Sequence, residues 1–230
     1  MNNGTIKRTS EFSQALLNSF NPEPDVRTEE WFELHQFKNG QTIYRQGNTP
    51  LGVFYIKSGK VKFTRETDDG SRHIIRIGAE GDFLGYEDIL LERRYSNTVE
   101  AWGDVSLFFI PRKEFMDVLD KDIKTARRFS QMLSENLLET EQRLIGFAHK
   151  PVRGRLADAL LSLSNYFKKN NAPVSISLTR YELANMIGTA SETVVRMLSE
   201  FRDEKLITTE RKGIRILDEK GLARATEMYN

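Results

Sequence analysis

At 230 residues, 39% of them hydrophobic and 29% charged, the chain is long enough for two modest domains and too apolar for wholesale disorder. The absence of cysteine excludes disulfides, thiolate zinc sites and cysteine-ligated iron–sulfur clusters, and fits a reducing cytoplasm. The net charge of +1 argues against a general polyanion binder, yet from Lys150 onward 14 Lys and Arg face 10 Asp and Glu, against 20 and 23 before it. Positive charge is thus concentrated near the C-terminus, as in a nucleic-acid reader whose charge is local. No stretch approaches the ~18 apolar residues of a membrane span, and the first twenty residues carry no signal-peptide core. A cytoplasmic protein with no membrane partner is expected.

Residues 1–28 read as a short helix followed by a linker broken by Pro22 and Pro24. From Trp31 to Ile110 short apolar runs alternate with polar residues between recurrent glycines, as in Val53-Phe54-Tyr55-Ile56, Val61-Lys62-Phe63-Thr64 and Ile74-Ile75-Arg76-Ile77. That pattern predicts antiparallel strands of a sandwich or barrel, with Thr67-Asp68-Asp69-Gly70 as a hairpin turn.

Beyond Pro111 the texture becomes helical. Ala126, Ser130, Leu133, Leu137, Thr140, Leu144 and Phe147 alternate in steps of four and three, an a/d seam over three heptads flanked by charged residues. Such a narrow seam suits a two-stranded coiled coil, with Leu133, Leu137, Thr140, Leu144 and Phe147 as the dimer contacts. A helix lying against its own β-domain is the alternative, and Leu138 and Ile145 widen the apolar face enough to serve both. His149-Lys150-Pro151 ends or bends this helix, and Val152 to Phe167 reads as another amphipathic helix. The expected division is an N-terminal extension over 1–28, a β-domain over 29–118, a dimerisation helix over 119–148 and a C-terminal domain over 149–230.

The most specific signal lies between Thr179 and Phe201. Thr179 with Glu182 forms a capping box that starts a short helix, whose buried side is Leu183, Ala184 and Ile187. Gly188 supplies the tight turn, and Ser191 begins a second helix buried through Val194, Met197, Leu198 and Phe201. A small residue at 184, glycine four later and an apolar residue at 194 let two helices cross closely, which is the helix-turn-helix spacing. Ser191, Glu192, Val195, Arg196 and Ser199 lie on the outer side of the second helix, where side chains reach base edges or phosphates. Leu206 to Leu217 then reads as a β-hairpin with a basic tip at Arg211-Lys212, making the motif winged. The bland alternative is a helical hairpin with no ligand.

A glycine-punctuated β-domain, a long helix and a C-terminal winged helix-turn-helix, in that order, resemble the catabolite activator (CRP/FNR) family of bacterial transcription regulators. The resemblance spans about residues 30 to 217 and is anchored at Gly59-Lys60-Val61, Gly81-Asp82-Phe83-Leu84-Gly85, Gly154-Arg155-Leu156-Ala157 and Ser191-Glu192-Thr193-Val194-Val195-Arg196. It implies an α+β chain with a cyclic-nucleotide-binding-like antiparallel β-roll (a double-stranded β-helix), a dimerisation helix and a winged helix-turn-helix. It further implies a homodimer on a palindromic double-stranded operator, with RNA polymerase as partner. By the same resemblance Glu192 accepts from cytosine N4 and Arg196 binds guanine O6/N7, each discriminating by ~1–3 kcal/mol. Ser191 stands where the family often has arginine, so one guanine contact is missing, and a palindrome with TGA-like half-sites is expected. Thr179, Arg180, Thr193, Ser199 and Lys212 would contact phosphates.

The input side departs from the family pattern. Members that bind cyclic AMP carry a Glu for the ribose and an Arg-Ser pair for the phosphate after the Gly-x-Phe-x-Gly turn. Here Tyr86 and Tyr95 stand in register with that Glu and Arg; Ser96 is kept, and Glu87 and Arg94 are each one position off. Thr140 falls where an adenine-contacting Thr would lie. Gly85, Tyr86, Glu87, Tyr95, Ser96 and Thr140 are therefore the candidate effector pocket, with cyclic AMP not expected in the usual pose. No iron–sulfur cluster, haem or other cofactor is expected: His35, His73 and His149 have no metal-ligand spacing. Tyr86, Tyr95 and Trp102 suit core packing better than a pocket. Neither a catalytic triad nor a phosphate loop is present, so the chain is not expected to be an enzyme. The effector is unidentified. Alternatives are a sensor or scaffold acting through protein contacts, and a cyclic-nucleotide-responsive regulator with a shifted cassette.

Overall fold

The alternating segments become eight strands in two antiparallel sheets, as the computed structural model shows; it describes residues 17–19, 32–68, 70, 72–167, 175–210 and 213–227. Strands β1 (Glu33–Phe37), β2 (Thr42–Tyr44), β3 (Gly52–Ser58), β4 (Lys60–Glu66), β5 (Arg72–Ala79), β6 (Phe83–Leu84), β7 (Thr98–Ala101) and β8 (Val105–Pro111) pair as β1-β8-β3-β6 and β2-β7-β4-β5. The chain forms two compact units, residues 1–139 and 140–230. Most of the N-terminal segment, the loop around Lys168–Asn171 and the wing tip with Lys212 lie outside the described residues.

In the first unit the inward residues of both sheets meet as one core. Ile56, Val61, Phe63, Val99 and Leu107 are all buried, the geometry that period-2 alternation dictates. The β4–β5 turn carries Gly70 at φ 77°, with its N–H donating to the Thr67 carbonyl at 2.8 Å. Leu17 from the N-terminal extension is fully buried in the same unit's second cluster, with Phe32, Phe83 and Phe115. A short helix α1 (Tyr86–Leu90) sits between β6 and β7, and α2 (Arg112–Lys121) follows β8.

The seam helix is α3 (Ile123–His149). Asp122 starts it: its carboxylate accepts from Thr125 Oγ1 at 2.6 Å and from Lys124 N at 3.0 Å, and the Thr125 hydroxyl bond lowers the Asp122 pKa. The residues that pack onto the β-domain are Thr125, Phe129 and Met132, all buried, with Phe129 edge-on to Tyr86 at 5.2 Å between ring centroids. This corrects the expectation that Leu138 and Ile145 serve that contact, since both are exposed. The reason is angular. Phe129 and Met132 lie one residue before the seam positions Ser130 and Leu133, turned by about 100°, so the seam itself faces outward. Leu137 and Leu144 on it are 60% and 63% exposed.

The second unit contains α4 (Val152–Phe167), α5 (Arg180–Ile187), α6 (Ser191–Asp203), the hairpin β9 (Ile207–Glu210) and β10 (Gly213–Ile216), and α7 (Glu219–Glu227). Its core is Leu156, Leu160, Leu163, Leu183, Ile187, Val194, Leu198 and Phe201. Two features go beyond what the sequence pattern predicts. α7 packs against α4, and Ile176 bridges Ile214, adding a third line of pairing to the wing.

Candidate nucleic-acid interface

Every geometric element of the predicted helix-turn-helix is present. Thr179 Oγ1 accepts from Glu182 N at 3.1 Å while Glu182 Oε2 accepts from Thr179 N at 2.8 Å, so the capping box closes in both directions. Thr179 Oγ1 also donates to Glu182 Oε2 at 3.0 Å, so this hydroxyl already serves the cap. Gly188 ends α5 at φ 64°, ψ 57°, and Thr189 N–H returns to the Ala184 carbonyl at 3.0 Å. A left-handed residue with a Cβ costs ~1–2 kcal/mol, which explains glycine here.

α6 divides into two sides. Val194, Met197, Leu198 and Phe201 are buried, as expected. Glu192, Val195 and Arg196 are exposed, and Ser191, Thr193 and Ser199 are half-buried at the flanks. The outer side therefore carries the acceptor and the planar cation together on the helix's first two turns, within reach of base edges once the helix enters a major groove. At the N-cap stands Ala190, with no side-chain hydrogen bond to the first N–H groups of α6. Arg180 is half-buried, and that burial lowers its pKa.

Two arginines hold this reader from behind. Arg153 on α4 pairs with Glu200 at 3.0 Å and Glu204 at 2.6 Å, and its guanidinium lies 4.5 Å from the Phe201 ring centroid. Arg155, further along the same helix, donates from Nη1 to the Phe147 carbonyl at 3.2 Å and from Nη2 to the Gly188 carbonyl at 3.3 Å. The Phe147 ring also lies under that guanidinium, 5.6 Å away. A cation at carbonyls that end two helices meets both orphan acceptors and both negative dipole ends. Sequence reasoning marked Arg155 only as part of a resembling tetrapeptide. Its signal was an arginine four residues past the proline-broken helix end, which says nothing of the Gly188 carbonyl.

In the β-domain the candidate effector residues are spent on one another. Tyr86 is buried and accepts from Asn136 Nδ2 at 2.7 Å. Tyr95 is buried and stacks on Tyr44, ring centroids 3.9 Å apart and 13° from parallel. Burial, aided by the charge of Asp88, pushes the Tyr95 phenol up to about 12. Gly85 abuts the Tyr95 ring, 3.0 Å from where a Cβ would stand. Ser96 donates from N and Oγ to Asp88 Oδ2 at 3.0 and 3.2 Å, and Arg93 Nε donates to Asp88 Oδ1 at 2.8 Å. Asp88 is 1% exposed. Its carboxylate is the anion that this cradle holds.

Glu87 pairs with Arg76 at 3.2 Å. Burial works against the Arg76 cation, but Glu87 outweighs it and raises the pKa. Arg94, in contrast, reaches out to the Gly47 carbonyl at 2.9 Å. Thr140 lies exposed on α3. Neither Asp88 nor Arg76 stands out in the sequence. Arg76 faces inward through a register shift opposite Phe63 and Thr64, which composition does not reveal. Among the described residues no three His, Asp or Glu side chains group as metal ligands, and no helix is long and apolar enough to cross a membrane.

Comparison with known proteins follows the same division. Residues 34–122 match the cyclic nucleotide-binding domain family, and residues 154–225 match the Crp-like helix-turn-helix domain family. The transcriptional activator protein FnrA of Stutzerimonas stutzeri is 29% identical over 190 residues, covering 80% of this chain and 77% of that protein. The cAMP-activated global transcriptional regulator CRP of Pasteurella multocida is 26% identical over 194 residues, covering 81% and 93%. A solved transcriptional regulator of the CRP/FNR family from Thermus thermophilus superposes with a TM-score of 0.73 at 27% identity, covering 86% of this chain and all of that one.

Proposed function

Because this chain belongs to the CRP/FNR family of transcription regulators, we propose that it acts as a cytoplasmic homodimer that reads a palindromic operator through α6 and engages RNA polymerase there. Glu192 and Arg196 are the base-reading pair, with Ser191 beside them; Arg180, Thr193, Ser199 and Lys212 steady the phosphates. The observation that carries this reading is the two-sided α6. Four apolar residues seal its inner side, while an acceptor and a guanidinium share the outer one. The uncapped N-terminus of α6 supports it too, since a backbone phosphate satisfies such N–H groups.

Dimerisation is supported by α3, which keeps Leu137, Leu144 and Phe147 exposed along one seam after its other side has packed on the β-domain. Leaving such a stripe in water is unfavourable by ~25 cal/mol per Å² of apolar surface, and a second copy of the helix removes it.

The regulator works without cyclic AMP in the usual pose. The residues do not fit it. Ser96 already gives its N–H and hydroxyl to Asp88, and a phosphate brought to the same donors would meet that buried carboxylate. Tyr86 and Tyr95, in place of the ribose and phosphate ligands, are core residues. Mobility-shift selection from randomised duplexes at several salt concentrations tests the function: enrichment of a palindrome is expected, and failure to enrich one at any salt overturns it.

A further inference from the structure

Val195 is out of place as a core residue and in place as a reader. It is 49% exposed, whereas Val194, Met197, Leu198 and Phe201 on the same helix are at most 8% exposed and already close the inner side. At about 100° per residue, Val195 lies about 60° round the helix from Glu192 and about 40° from Ser199. It belongs to the outer side, among the polar residues. A β-branched residue is a mediocre helix former, so neither propensity nor burial accounts for valine here. Single exposed apolar residues are common on protein surfaces. This one stands between the two side chains that the proposed function assigns to bases.

We infer that Val195 is a specificity-determining residue that packs its γ-methyl groups against the 5-methyl group of a thymine in each half-site. The major groove offers one apolar feature, that methyl, and it distinguishes thymine from every other base. Glu192 and Arg196 address polar edges, so an apolar side chain between them reads what they do not. The inference rests on α6 being the DNA-reading helix.

The test removes the methyl group without changing any base pair. Each thymine of the selected operator half-site is replaced in turn by deoxyuridine, and affinity is measured for the full-length wild type and for Val195→Ala. Alanine is the better helix former and the site is exposed, so the variant keeps its fold, which circular dichroism checks. At one thymine position the wild type should lose about fourfold in affinity, the equivalent of ~0.8 kcal/mol per buried methyl-sized group at ~1.4 kcal/mol per tenfold. Val195→Ala should lose less than about half of that. Equal losses for both proteins, or no thymine position at which the wild type responds, overturn the inference while leaving the reading helix intact. Failure of the wild type to bind any selected duplex overturns instead the function on which it rests.

Discussion

Arg155 Nη2 donates to the Gly188 carbonyl at 3.3 Å while Nη1 of the same side chain donates to the Phe147 carbonyl at 3.2 Å. One guanidinium thus ties the turn of the helix-turn-helix to the last turn of α3, within the unit that carries both. Gly188 meets the same neighbour, since a Cβ there would lie 3.3 Å from Phe147 Cε1. Arg155→Ala should destabilise the second unit by about 2–3 kcal/mol, the range for hydrogen bonds to a charged group plus newly orphaned carbonyls. Arg155→Lys should recover only part, because an ammonium lacks the fork that reaches both carbonyls. Urea unfolding of the full chain measures both.

The phosphate contacts should separate from the base contacts by their salt dependence. Arg180→Ala is expected to weaken binding to cognate and non-cognate duplexes alike and to reduce the slope of log affinity against log salt by about 0.9. Glu192→Ala should leave that slope unchanged and relax discrimination at one base pair by ~1–3 kcal/mol. Fluorescence anisotropy titrations at several salt concentrations read both quantities.

The exposed stripe on α3 gives an oligomer prediction. Leu137→Glu combined with Leu144→Glu places like charges directly across a two-stranded seam, so sedimentation velocity should show a monomer. Phe129→Ala lies on the opposite, buried side. It should lower the stability of the β-unit by about 3–5 kcal/mol and leave a dimer wherever the chain still folds.

Much of the second unit was legible because its signals are local. Thr179 with Glu182, Gly188, and the apolar spacing from Ser191 to Phe201 each act within one or two helical turns, so a linear reading finds them. The β-domain was legible as strands, through alternation and glycines, but not as a site. Asp88 is adjacent in sequence to Glu87, yet its role depends on Ser96 and Arg93 folding back over it. Arg76 turns inward only because of a register shift. The long helix shows the same limit: its period was visible, but which of two neighbouring stripes met the β-domain was decided by Phe129 fitting between Phe115 and Tyr86.

The occupied cradle makes a ligand prediction. Isothermal titration with cyclic AMP should give no saturable heat at millimolar nucleotide, and the operator affinity should not change in its presence. A cyclic AMP-dependent rise in operator affinity would mean that Asp88 yields its place to a phosphate.

The most direct test is to repeat the selection from randomised duplexes with the wild type and with Arg196→Ala and to compare the enriched sequences. The wild type should enrich a palindrome whose half-sites lie about one helical turn apart (~34 Å). The variant should lose information at one base pair in each half-site, placed symmetrically about the dyad. An unchanged pool, or a loss confined to one half, would contradict a homodimer that reads its operator through Arg196.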